Sequence, residues 1–174
     1  MMERQRSFGF YALLTLISWL SMLGFDLFLH GGLLAGLYKQ PHPFLLSPER
    51  SFALIPLGYL SFLLLAILLV WLITRMALQG WRRSAIFALQ VGFLIWGSFS
   101  LGLISISTIP LALLAGWFIG QTVEMGIGGA VIGIGLKSPK LGRLFFSVFG
   151  FIIVMVILTV VLQNVGLIFA NESF

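Results

Sequence analysis

The chain has 174 residues, 60% of them hydrophobic and 9% charged, with a formal net charge of +5 and no cysteine. Soluble domains carry about a quarter charged residues, so this composition excludes an ordinary soluble enzyme. The missing cysteines exclude disulfides, thiolate metal sites, iron–sulfur clusters and thiol catalysis together.

Five apolar stretches reach the about 20 residues that a helix needs to cross a bilayer. They run over 8–29, 52–73, 84–106, 111–136 and 145–169. Little is left between them, so residues 1–174 read as a single membrane domain. Continuous apolar runs without polar alternation do not suit a lipid-facing barrel. The expected fold is an all-α integral membrane bundle of five transmembrane helices.

The first span outruns the about 7–15 apolar residues of a signal-peptide core, and no A-x-A site follows it, so it reads as an anchor. Near its end stands GFDLFLHGG, residues 24–32. Asp26 and His30 are four apart and share a helix face. At 1.5 Å of rise per residue, Asp26 lies roughly 27 Å beyond Phe8, close to the outer boundary. Two readings follow. The pair handles protons or ligates a metal or tetrapyrrole, or it is a helix end with two polar groups reaching water. A single axial haem or chlorophyll ligand needs one histidine, so His30 is a candidate for that role. A protein metal site is not expected, because His42 is the only other histidine.

The external loop carries Gln40-Pro41-His42-Pro43, which disfavours helix. Ser47-Pro48-Glu49-Arg50 is a helix start: Ser47 caps, Pro48 suits the first turn and Glu49 complements the positive helix end. Pro56 kinks or starts span two. Gly80 reads as its C-terminal stop, with Trp81-Arg82-Arg83 at the interface.

Ser107-Thr108-Ile109-Pro110 turns span three into span four as an antiparallel hairpin. Span four holds Gly116, Gly120, Gly126, Gly128, Gly129, Gly133 and Gly135. Two G-x-x-x-G steps, 116–120 and 129–133, let helices approach closely in lipid. This helix is the expected packed centre, against the same chain or a partner.

Glu124 lies inside that span, roughly 20 Å from Leu111. An ionisable residue at such a depth is a functional candidate. Gln121 is one turn before it, and the hairpin places Glu124 opposite Leu94 and Gln121 opposite Gly97 and Ser98. The spacing therefore predicts a polar seam of Gln90, Ser98, Gln121 and Glu124. Within it, a neutral carboxyl can donate a hydrogen bond. The alternative is a packing glutamate, or one bonded to a partner subunit.

The basic residues set a topology. Arg4, Arg6, Arg75, Arg82, Arg83, Lys137, Lys140 and Arg143 fall on one side, and Lys39 and Arg50 on the other. The positive-inside rule then puts the N-terminus in the cytoplasm and the C-terminus outside. The charge is topological and lipid-facing, so no nucleic-acid partner is expected. Five spans do not divide into two inverted halves, which argues against the usual repeat transporter.

HGGLLAGLY at residues 30–38, followed by PFLLSPE at 43–49, resembles a group of small polytopic bacterial membrane proteins of unknown function. PLALLAGWFIGQTVEMGIGGAVIG, 110–133, is similar to their glycine-rich later helix with an embedded polar position. The resemblance implies a bacterial inner-membrane protein and brings no activity. The fifth span departs from its four-helix form. The tryptophan-rich sensory family shares five spans and a similar length, but residues 39–44 lack its tryptophan- and proline-rich first loop.

Two functions remain open, of which the sequence favours the first. The first is a non-catalytic accessory or scaffold subunit, embedded in the lipid bilayer and docking on other membrane subunits or on itself. Gly116, Gly120, Gly126, Gly129 and Gly133 would form its docking face. The second is a small transporter or ligand-binding bundle with its site at Glu124, Gln121, Asp26, His30 and Gln90. No nucleophile–base pair or metal cluster marks an enzyme.

Overall fold

The computed structural model describes residues 6–39, 43–138 and 140–171; the side chains of residues 48 and 166–171 are outside the description. The described residues form helices and no strands. Helix α1 spans Phe8–Phe28, a π-turn Leu29–Leu33, α2 Ala35–Tyr38, α3 Pro48–Arg75, α4 Trp81–Ile106, α5 Leu111–Lys137 and α6 Gly142–Asn171. Five of these segments are long and apolar enough to cross a membrane.

Their starts and stops have local causes. Ser7 caps α1, accepting from the Phe10 amide at 3.3 Å, and Ser47 accepts from the Arg50 amide at 3.5 Å to cap α3. Pro48 occupies the first turn of α3, and Pro56 is carried inside that helix. Gly80 does not end α3, as the sequence led us to expect. The helix stops at Arg75 in a Schellman motif, where the Leu78 amide bonds Ile73 O and the Ala77 amide bonds Thr74 O, both at 3.0 Å. Ala77 takes the left-handed position there, at φ 50°. Gly80 instead precedes α4, at φ +87°.

α5 and α1 are the inner helices. Of α5's most apolar stretch 61% is buried, and of α1's 44%, against 22% or less for α3, α4 and α6. The glycines of α5 account for this. Side chains on them would strike Leu34 at Gly116, Leu29 at Gly120, Met22 and Ser18 at Gly128, and Leu14 at Gly135. That face belongs to α1 and its extension. A second face belongs to α4: Gly126 meets Leu89, Gly129 meets Ala88 and the Ser84 carbonyl, and Gly133 meets the Gly80 carbonyl and Ser84. The packed centre expected of span four is thus present, and both glycine faces are covered within the chain.

α6 and α3 pack mainly on α1. Gly24 receives Ile152, and Trp19 Nε1 donates to Tyr59 O at 2.8 Å. Leu14, Ile17, Met22, Met125 and Ile132 fill the core together with residues of α3, α4 and α6. Arg6 closes the Lys137 end, donating to Leu136 O at 2.8 Å and Ser138 O at 2.9 Å.

Candidate functional site

The contacts between α1 and α5 fix an antiparallel register. Leu14 faces Gly135, Met22 faces Gly128 and Leu29 faces Gly120. Asp26 lies between Met22 and Leu29, so it is level with the stretch of α5 that holds Gln121 and Glu124. This corrects the depth drawn from the sequence, which set Asp26 and Glu124 apart. The first span does not end at residue 29. It continues through the π-turn to Leu33, and the short helix α2 follows to Tyr38, which moves Asp26 from the helix end into the body of the bundle.

The π-turn is supported from α6 as well as by its own backbone bond. The Leu34 amide bonds Leu29 O at 2.8 Å, five residues back. Gly31 and Gly32 are pressed by Thr159 and Leu162 of α6, each 3.2 Å from where a β-carbon would stand. Gln163 Nε2 donates to Gly31 O at 2.8 Å. This widened turn hands His30 to the inner side.

There the polar groups meet. Asp26 Oδ1 lies 3.2 Å from His30 Nε2. Gln121 Nε2 donates to Asp26 Oδ1 at 3.2 Å and stands 3.1 Å from His30 Nε2. On the other ring edge His30 Nδ1 is 2.6 Å from Tyr38 Oη. Trp117 Nε1 donates a short hydrogen bond to the same phenol oxygen. Tyr59 of α3 lies within electrostatic reach of Asp26.

Glu124 completes the cluster differently. It is fully buried and lies within electrostatic reach of Asp26. Neither of its carboxyl oxygens has a hydrogen-bond partner among the described residues, and Gln121 Oε1 has none either. Buried polar groups are nearly always bonded, so an unpartnered carboxyl requires an explanation. Among the described residues no three histidines, aspartates or glutamates are grouped to hold a metal ion.

The predicted seam is not formed. Gln90 is exposed on the outer surface of α4, among Ile86, Leu89, Phe93, Leu94 and Thr122. Ser98 is exposed as well. The hairpin register differs from the expected one by about two residues: Gly92 faces Thr122 and Met125, and Gly97 faces Phe118. Glu124 and Gln121 therefore turn to α1, where Gln121 meets Asp26 and His30. The sequence reading passed over Tyr38 and Trp117 as members. Their spacing carried a signal: Trp117, Gln121 and Glu124 share one face of α5, and Tyr38 is about two turns beyond His30. His42 lies outside the described residues.

No family model, curated protein or solved structure matches this chain.

Proposed function

We propose that this protein is a small, non-catalytic transporter or ligand-binding bundle in which Glu124, backed by Gln121, Asp26 and His30, holds a proton or a small polar ligand inside the membrane. The observation that carries the reading is the fully buried Glu124 carboxyl, which has no partner among the described residues. A carboxyl kept in the lipid-embedded part of a bundle without a structural bond costs stability. Function is the ordinary reason to retain one.

The setting belongs to the same proposal. The distribution of arginine and lysine supports a cytoplasmic N-terminus and an outside C-terminus. The composition and the resemblance to small bacterial proteins point to the bacterial cytoplasmic membrane. An accessory subunit is the second reading. Its expected docking face, the glycines of α5, lies against α1 and α4. A partner subunit or second copy would therefore meet the outward faces of α3, α4 or α6.

The test is transport in liposomes that carry a pH-reporting dye inside. Wild-type protein should collapse an imposed pH gradient, alone or with sodium or potassium supplied, and Glu124→Gln should not. Equal rates for the two under every condition would overturn the transport reading.

A further inference from the structure

The cluster is graded. The His30 side chain keeps 31% of its surface exposed, Asp26 12%, and Glu124 none. The chain of bonds runs the same way, from Tyr38 at the end of α2 through His30 to Asp26. On the opposite side of Glu124 the structure is closed. Met22 and Met125, then Ile17, Ile132 and Leu14, are all within 1% of complete burial. The serines among them bond inward, Ser18 to Gly128 O at 3.1 Å and Ser21 to Ser18 O at 2.7 Å.

We infer that Tyr38, His30 and Asp26 form a proton relay that, in this conformation, connects Glu124 to one side of the membrane only, the side of Tyr38 and Pro110, so that release to the other side requires a second conformation. The inference rests on the proposed proton site at Glu124 and adds its route and its direction.

The hydrogen-bond inventory supports a relay because one set of heavy-atom positions satisfies two proton arrangements. In the first, Tyr38 donates O–H to His30 Nδ1, and His30 donates Nε2–H to an ionised Asp26. Trp117 donates to the phenol, and Gln121 donates to the same Asp26 oxygen. The Gln121–His30 approach is then a contact of two donors that share one acceptor. In the second, His30 Nδ1–H donates to Tyr38 Oη, and Asp26 carries a proton that it presents to Nε2. The second arrangement holds one proton more than the first.

The conversion balances. A proton arrives on the free lone pair of Tyr38 Oη, and the phenol's original proton moves to His30 Nδ1. The imidazole releases its Nε2 proton to Asp26. Asp26 and Glu124 stand level across the α1–α5 contact without a hydrogen bond between them, so a side-chain rotation that joins the two carboxyls passes the Asp26 proton to an ionised Glu124 and loads the deeper acid. His30 is neutral before and after. Few other groups can interfere. Tyr59 is the further titratable side chain near Asp26. The charged residues of α4 and the described part of α6 are Arg82, Arg83 and Arg143, all exposed.

The experiment is infrared difference spectroscopy on the full chain in nanodiscs, following the acid carbonyl band of Glu124 on transfer to deuterium oxide. Glu124→Gln assigns the band. Tyr38→Phe and His30→Gln should each slow deuterium exchange by about tenfold, the rate cost of losing one hydrogen bond on the route. Tyr59→Phe, which keeps the ring and lies off the route, should exchange as wild type does. An assigned band whose exchange is unchanged in Tyr38→Phe and His30→Gln would overturn the route and leave the site standing. A spectrum with no acid band lost in Glu124→Gln would overturn the route and the proton site together. Both relay variants must keep the wild-type amide band. If one loses it, the other decides.

Discussion

Gly129 is the position where one added carbon should be felt most. A β-carbon there would strike that of Ala88 and stand 2.6 Å from the Ser84 carbonyl oxygen. Neither neighbour has room to retreat: Ala88 is fully buried and the carbonyl is part of α4's backbone. The two helices must separate, and overpacking of this kind costs about 1–3 kcal/mol. Alanine also gains about 0.5–1 kcal/mol over glycine inside a helix. Gly129→Ala should therefore lose up to about 2.5 kcal/mol net. Gly102, on the same helix pair, has nothing within 4 Å of the added carbon. Gly102→Ala should keep the full helical gain. The assay is thermal unfolding of the purified protein in detergent, read by tryptophan fluorescence. If Gly129→Ala is as stable as Gly102→Ala, the close approach of α4 and α5 is not what holds them together.

Four further outcomes follow from the same geometry. Glu124→Leu should leave stability unchanged or raise it by about 1–3 kcal/mol, since an unpartnered acid gives way to an apolar group; a lowered melting temperature would make Glu124 a packing residue. Gln121→Leu should cost about 1–3 kcal/mol in the same assay, because Asp26 loses a donor while still buried. Ala77→Gly should add about 0.5–1 kcal/mol, by relieving a left-handed alanine at the end of α3. Arg6→Gln should cost up to about 1 kcal/mol, read as earlier unfolding, because the carbonyls of Leu136 and Ser138 lose a charged donor at a partly exposed site.

The five long apolar helices and the hairpin were legible because hydropathy and turn chemistry are local. Ser107 to Pro110 could hardly be anything but a turn, and Ser47-Pro48 started α3 as read. The centrality of α5 was legible too, since seven glycines on one apolar helix allow close approach wherever they face. The direction each side chain faces was not legible. α5 is apolar around its whole circumference, so nothing in its periodicity distinguishes the face toward α1 from the face toward α4. A shift of about two residues in the hairpin sent Gln90 and Ser98 to the outside and left Glu124 with Asp26. The depth of Asp26 failed for a related reason. Counting from Phe8 assumed that a span ends where its apolar run weakens. The π-turn at Leu29–Leu33 carries the chain on to Tyr38, and that turn is set by Thr159 and Leu162 pressing on Gly31 and Gly32 from a distant helix. The stop at Ala77 escaped notice because glycine, the usual residue in that position, stands three residues later.

The central claim is that Glu124 is an accessible, protonatable acid inside the bundle rather than a packing residue. Dicyclohexylcarbodiimide tests it directly, since this apolar reagent enters lipid and reacts with carboxylic acids. Wild-type protein in membranes should be labelled at Glu124, as located by peptide mass spectrometry, and the labelling should fall as the pH is raised. Labelling confined to other carboxyls, or labelling at Glu124 that does not change with pH, would contradict it.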